Sequence, residues 1–117
     1  FISLFMIINK TNGKVIADYL YLANNPFKRM RGLLGFKKLD NGTAMVIRPC
    51  NCVHSFFMRF PIDLLFVDRD NKIVGILIDM PPFRLSPILF QSKYVVELPA
   101  GTIERLNISK GDQLELT

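Results

Sequence analysis

Apolar residues along the chain fall into short runs separated by Asn, Gly, Asp and Pro, a spacing that predicts strands rather than long helices. Runs 2–9 and 14–22 are rich in β-formers and flank Asn12-Gly13, a strong hairpin signal. Asn24 or Asn25 is placed to cap a short helix with Pro26 at its first position. Phe27, Met30, Leu33 and Leu34 then share one helical face, and Gly35 is its natural stop. Further strands are predicted at 44–47, 62–67, 72–78, 94–98 and 113–116, with a helical turn near 101–106. The turn at Asp70-Asn71 makes 62–78 a hairpin, while the prolines at 81, 82 and 87 mark a loop, since proline cannot feed a ladder. The expected fold is mainly β with one or two short helices: a small, partly closed β-barrel or a sandwich, with α+β as the alternative description.

Composition adds limits to this picture. With 117 residues, half of them hydrophobic, the chain is long enough for one cored domain spanning 1–117. No apolar run reaches the roughly 18–20 residues that span a bilayer. The opening Phe1 to Ile8 lacks a basic leader and a cleavage site, so it reads as a strand and not a signal peptide. What precedes Phe1, an anchor or a processed leader, is left open. Two cysteines one residue apart do not make a disulfide scaffold, which favours a cytoplasmic, reducing setting.

The net charge of +5 is unevenly spread. Residues 1–62 carry nine basic and two acidic side chains, whereas 63–117 carry six and eight. Lys28, Arg29, Arg31, Lys37 and Lys38 fall in one window without an acid, a field that attracts anions. Phosphate contacts there, with Phe36 stacking a base, would suit a polyanion. No nucleic-acid module accompanies the window, however, and such charges usually form a helix's wet face, so nucleic acid is not the expected partner.

Four segments in fixed order carry a resemblance. They are Arg29-Met30-Arg31-Gly32-Leu33-Leu34-Gly35, the stretch from His54 through Asp63 to Asp68, Val96-Glu97-Leu98-Pro99-Ala100-Gly101, and Ile108-Ser109-Lys110-Gly111-Asp112. Together they resemble the family called domain of unknown function 192, over about residues 14–117. The resemblance implies a compact β-rich fold with a helix bearing Arg-x-x-Gly-Leu, and no established activity, cofactor or partner. Many relatives have a Trp-Met pair and an Asn-Thr where this chain has Phe57-Met58 and Phe60-Pro61. Because the pattern includes Arg29, that side chain is expected to turn inward and pair with Asp63 or Glu97, either to tie helix to sheet or to anchor a ligand's acidic group.

Chemistry-bearing residues concentrate near His54, the one histidine. Cys50-x-Cys52-x-His54, if extended, places three soft ligands on one face. Zinc sites usually use Cys-x-x-Cys, so two buried thiols and a hydrogen-bonded His are the expected state, with no metal or cofactor assigned. A turn at Pro61 that brought His54 to Asp63 would orient an imidazole for acid–base work, with Ser55 or a cysteine as nucleophile. The competing reading has Asp63 accepting backbone amides at a turn. Phe56, Phe57, Met58 and Phe60 read mainly as core, or else as an aromatic groove with Arg59 at its lip.

The functional expectation is a non-enzymatic domain that binds a small ligand or a peptide, or serves as an accessory. Its cleft would lie between helix 26–34 and segment 54–63, lined by Arg29, His54, Met58, Arg59 and Asp63, with Glu97 nearby. The alternative is a small hydrolase-like or metal-dependent enzyme using His54 with Asp63 or Cys50 and Cys52. Oligomeric state is not encoded in any pattern here.

Overall fold

The structure, a computed structural model, describes residues 6–25, 33 and 35–117. Its strands, in chain order, are β1 (Ile7–Asn9), β2 (Val15–Ala17), β3 (Tyr19–Ala23), β4 (Thr43–Ile47), β5 (Ile62–Val67), β6 (Ile73–Met80), β7 (Tyr94–Pro99) and β8 (Leu114–Leu116). One short helix, α1 (Thr102–Arg105), follows β7. The strands form a three-stranded sheet ordered β2-β1-β8 and a five-stranded sheet ordered β3-β4-β7-β5-β6.

The central strands β5 and β7 are buried at every residue, as their unbroken apolar runs require of strands covered on both faces. On the first face, Val46, Leu65, Val96 and Leu98 pack against Ile7, Ile16 and Leu114 of the small sheet and Ile103 of α1. On the second face, Met45, Ile47, Leu64, Phe66 and Val95 meet Val53 and Met58 from the loop before β5. Strands β3 and β4 run parallel, so the chain between them must cross over; it reaches the second face through Leu33, Phe36 and Leu39. The helix predicted at 26–34 lies outside the described residues except for Leu33, which is buried. Each Leu or Ile sealed in this way contributes about 1.5–3 kcal/mol of burial.

The predicted run 14–22 divides in two. The backbone N–H groups of Asp18 and Tyr19 both donate to the Gly42 carbonyl, so the chain leaves the small sheet at Ala17 and enters the large one at Tyr19. Gly42 is suited to this corner: its φ is 88°, and a Cβ there would lie 3.2 Å from Asp18 Oδ1. The barrel alternative is corrected by the same geometry. Between the sheets there is the Asp18 corner and a single bridge, Lys72 to Gln113, but no continuous ladder among the described residues. A barrel needs closure; these are open sheets packed as a sandwich. β1 also pairs with β8, and Met6 and Thr117 exchange backbone hydrogen bonds at 3.0 Å, so the first and last described strands lie side by side.

Candidate functional site

Strand β5 carries Asp63 opposite a bulge in β6. Ile62 pairs with Met80 but Leu64 with Leu77, so Ile78 and Asp79 together face the single residue Asp63. Asp79 takes φ 55° there, and its freed amide donates to Asp63 Oδ1 at 2.8 Å. The other carboxylate oxygen, Oδ2, accepts the Ile103 amide at 2.9 Å. Helix α1 begins at Gly101, which has no side chain to cap it, so Asp63 supplies from a neighbouring strand the acceptor that the helix start lacks. Asp63 is fully buried on the first face, with both oxygens committed to backbone.

Glu97 lies one strand away and on the other face. Asp63 pairs with Leu98, so its neighbour Glu97 points to the opposite side, among the second cluster. Registers place Glu97 at the middle of a row that crosses the whole sheet: Tyr21, Met45, Glu97, Leu64, Leu77. Glu97 as a whole is 3% exposed, and its Oε1 has no hydrogen-bond partner among the described residues. Burial alone pushes its pKa up to about 8, so the group is mostly neutral at pH 7.

The loop before β5 zips against the loop after β6. Val53 and Ser86 are joined through both backbone and hydroxyl, and His54 bridges Leu85. Ser55 is the pin of this arrangement: fully buried, it donates its hydroxyl to the Pro81 carbonyl at 2.6 Å and accepts the Arg84 amide at 2.9 Å. Met58 turns into the second cluster, whereas His54 and Arg59 are exposed. The His54 ring stacks on Phe56, and its Nδ1 accepts the Phe56 amide at 3.3 Å. No hydrogen bond links His54 to Asp63, and the imagined dyad would need an oxygen that backbone amides already hold.

The Cys50 and Cys52 thiols are each directed at a carbonyl, Cys50 to Cys52 at 3.3 Å and Cys52 to Ser86 at 3.6 Å. Among the described residues, no group of three His, Cys, Asp or Glu side chains is gathered to hold a metal ion. Arg29, Lys28 and Arg31 lie outside the described residues; Lys37 and Lys38 are exposed, the latter beside Asp40 at 3.5 Å. Of the predicted cleft residues, Met58 and Glu97 share the second face, His54 and Arg59 flank it outside, and Asp63 sits behind the sheet.

The family model DUF192, described as "Uncharacterized ACR", matches residues 7–116. The chain belongs to the DUF192 family. Relatives include a UPF0127 protein of Thermococcus sibiricus, 33% identical over 94% of this chain and 73% of its own length. A UPF0127 protein of Pyrococcus furiosus is 35% identical over 92% of this chain and 95% of its own. A solved structure of a protein of unknown function from Novosphingobium aromaticivorans superposes with a TM-score of 0.83, covering 94% of this chain and 82% of that one at 23% identity, which establishes a shared fold.

Within this DUF192 chain, the sequence reading missed Ser55 and Ser86 as the pins of the paired loops. The signal was present but weak: a serine beside one large apolar residue in each loop, Phe56 and Leu85. The bulge that gives Asp63 its partner has no local signature, because it exists only through pairing with β5.

Proposed function

We propose that this chain is a non-enzymatic binding domain whose ligand reaches the second face of the five-stranded sheet and hydrogen-bonds Glu97. One observation carries this reading: an enclosed carboxyl whose Oε1 has no hydrogen-bond partner among the described residues, at the centre of an otherwise apolar row. An unpaired buried acceptor costs about 1–3 kcal/mol, and a ligand that supplies a donor recovers it. The cost is spent where Met45, Met58 and Met80 surround the face with adaptable thioethers, which repack around varied shapes. The matching ligand is small, largely apolar, and carries an amine, amide N–H or hydroxyl. A carboxyl that is half-titrated near pH 8 serves either as acceptor or, to an amine, as counter-ion.

The enzymatic alternative lacks the comparable support of an assembled dyad, since His54 and Asp63 each hydrogen-bond elsewhere. The test is a thermal-shift panel of metabolites, peptides, glycans and nucleotides on the wild type, Glu97→Gln and Glu97→Leu. A true ligand raises the wild-type Tm, by about 2.7 kcal/mol of stability at a hundredfold excess over Kd. Glu97→Leu abolishes that rise. A ligand that stabilises Glu97→Leu as well as the wild type, or a panel without any stabiliser, would count against the reading.

A further inference from the structure

The two paired loops present a second surface, on the side away from Val53, Ser55 and Ser86, which are buried. His54 and Leu85 share that outer side as bridge partners, and Phe56 joins it by stacking on His54. Phe57 meets Phe83 edge-on, ring centres 5.5 Å apart. Both of these phenylalanines have left-handed backbones, with φ 64° and 63°, a conformation that bulky side chains rarely adopt. Ser55 holds them there: its carbonyl accepts the Met58 and Phe83 amides and its hydroxyl the Arg84 amide. The strain has a visible result, which is display.

The display is of knobs rather than a groove. Phe57 is 76% exposed, Leu85 66% and Phe90 81%, with Phe83 and Ile88 above half. Residues that line a groove are shielded by its walls; these stand clear of the body. Their charge setting is equally one-sided. Residues 48–61 and 81–93 contain Arg48, Arg59, Arg84 and Lys93, and no Asp or Glu. Protruding aromatic and aliphatic side chains among cations without acids match the boundary of an anionic bilayer, where rings enter the headgroup region and guanidinium groups meet lipid phosphates.

We propose that this face docks peripherally on an anionic lipid membrane, with Phe57, Phe83 and Leu85 entering the interface and Arg59 and Arg84 contacting phosphates. Among the described residues no helix is long and apolar enough to cross a membrane. This docking is independent of the ligand reading at Glu97, which lies on the sheet face inside the fold.

The experiment is co-sedimentation with phosphatidylcholine vesicles, with and without phosphatidylserine, at low and high salt. The wild type should pellet with phosphatidylserine vesicles and be released by salt. Arg59→Gln with Arg84→Gln should lower partitioning by about 25-fold, taking about fivefold per cation. Phe57→Gly with Phe83→Gly, at positions whose φ suits glycine, should lower it at least about tenfold while the Tm is kept. If that pair fails to fold, Leu85→Ser, which removes an exposed apolar side chain from the side shared with His54, gives the same reading. A wild type that stays in the supernatant with anionic vesicles at low salt overturns the proposal. So does pelleting that these variants leave unchanged, or capture of a Phe- and Glu-rich peptide without vesicle binding, which would assign the face to an acidic protein segment.

Discussion

Asp63 and Glu97 occupy adjacent central strands, diagonal to one another in register, yet they project to opposite faces of the sheet. Both are enclosed, and their treatment is opposite. Asp63 spends both oxygens on backbone amides, whereas Glu97 Oε1 has no hydrogen-bond partner among the described residues. One carboxyl therefore holds the fold together, and the other is held within it at a cost.

Asp63→Asn should be destabilising by about 2–4 kcal/mol. An amide can present one oxygen but must turn an N–H toward the other backbone donor, at Asp79 or Ile103, and charge-assisted bonds are worth about 1.5–3 kcal/mol each. Urea unfolding with an unchanged m-value checks this. A loss below about 0.5 kcal/mol would show that the bulge and helix start have other acceptors.

Glu97→Leu should stabilise the unliganded protein by about 1–3 kcal/mol, because an apolar side chain of similar size replaces an acceptor that has no partner among the described residues, between Met45 and Leu64. The measurement is the urea midpoint at pH 7.5. Destabilisation would mean that the carboxyl has a partner in solution.

The pH dependence has a defined sign. Folded Glu97 keeps its proton to about pH 8, while in the unfolded chain it is released near its ordinary value of 4.5. Between these limits the folded state holds the extra proton, so this group makes stability fall as pH rises, by at most about 1.4 kcal/mol per pH unit. Below 4.5 and above 8 its contribution is flat. Stability curves from pH 5 to 8 for the wild type and Glu97→Gln should diverge through this window; parallel curves would rule out Glu97 as the titrating group.

Much of the architecture was legible because it is local. The unbroken apolar runs at 62–67 and 94–98 read as central strands, and the turns at Asn12-Gly13 and Asp70-Asn71 fall where the structure places them. The corner at Asp18 was not legible, since β-forming residues continue straight through it and the split depends on Gly42, more than twenty residues on. The candidate site divides the same way. That Asp63 serves backbone amides could be weighed from its type, but the source of those amides, a bulge and a distant helix start, is set by pairing alone. Phe57 was read as core material because size and apolarity suggest it; its left-handed backbone, which no propensity favours, turns it outward.

Ser55→Ala tests how that outward turn is maintained. Removing the hydroxyl orphans the Arg84 amide and frees the Pro81 carbonyl, for a loss of about 1–3 kcal/mol. Hydrogen exchange should accelerate at the Phe83 and Arg84 amides more than at β5 or β7. Uniform acceleration would indicate global loosening instead of release of one loop.

The pairing of β1 with β8 sets an order on the folding of this chain. Ile7 and Asn9 lie against Leu116 and Leu114, so the middle strand of the small sheet has one side unfilled until β8 has been made. During synthesis the five-stranded sheet can assemble from residues 19–99 while that side waits. The small sheet is thus the closing step, and β1 is completed later than the described strands of the five-stranded sheet.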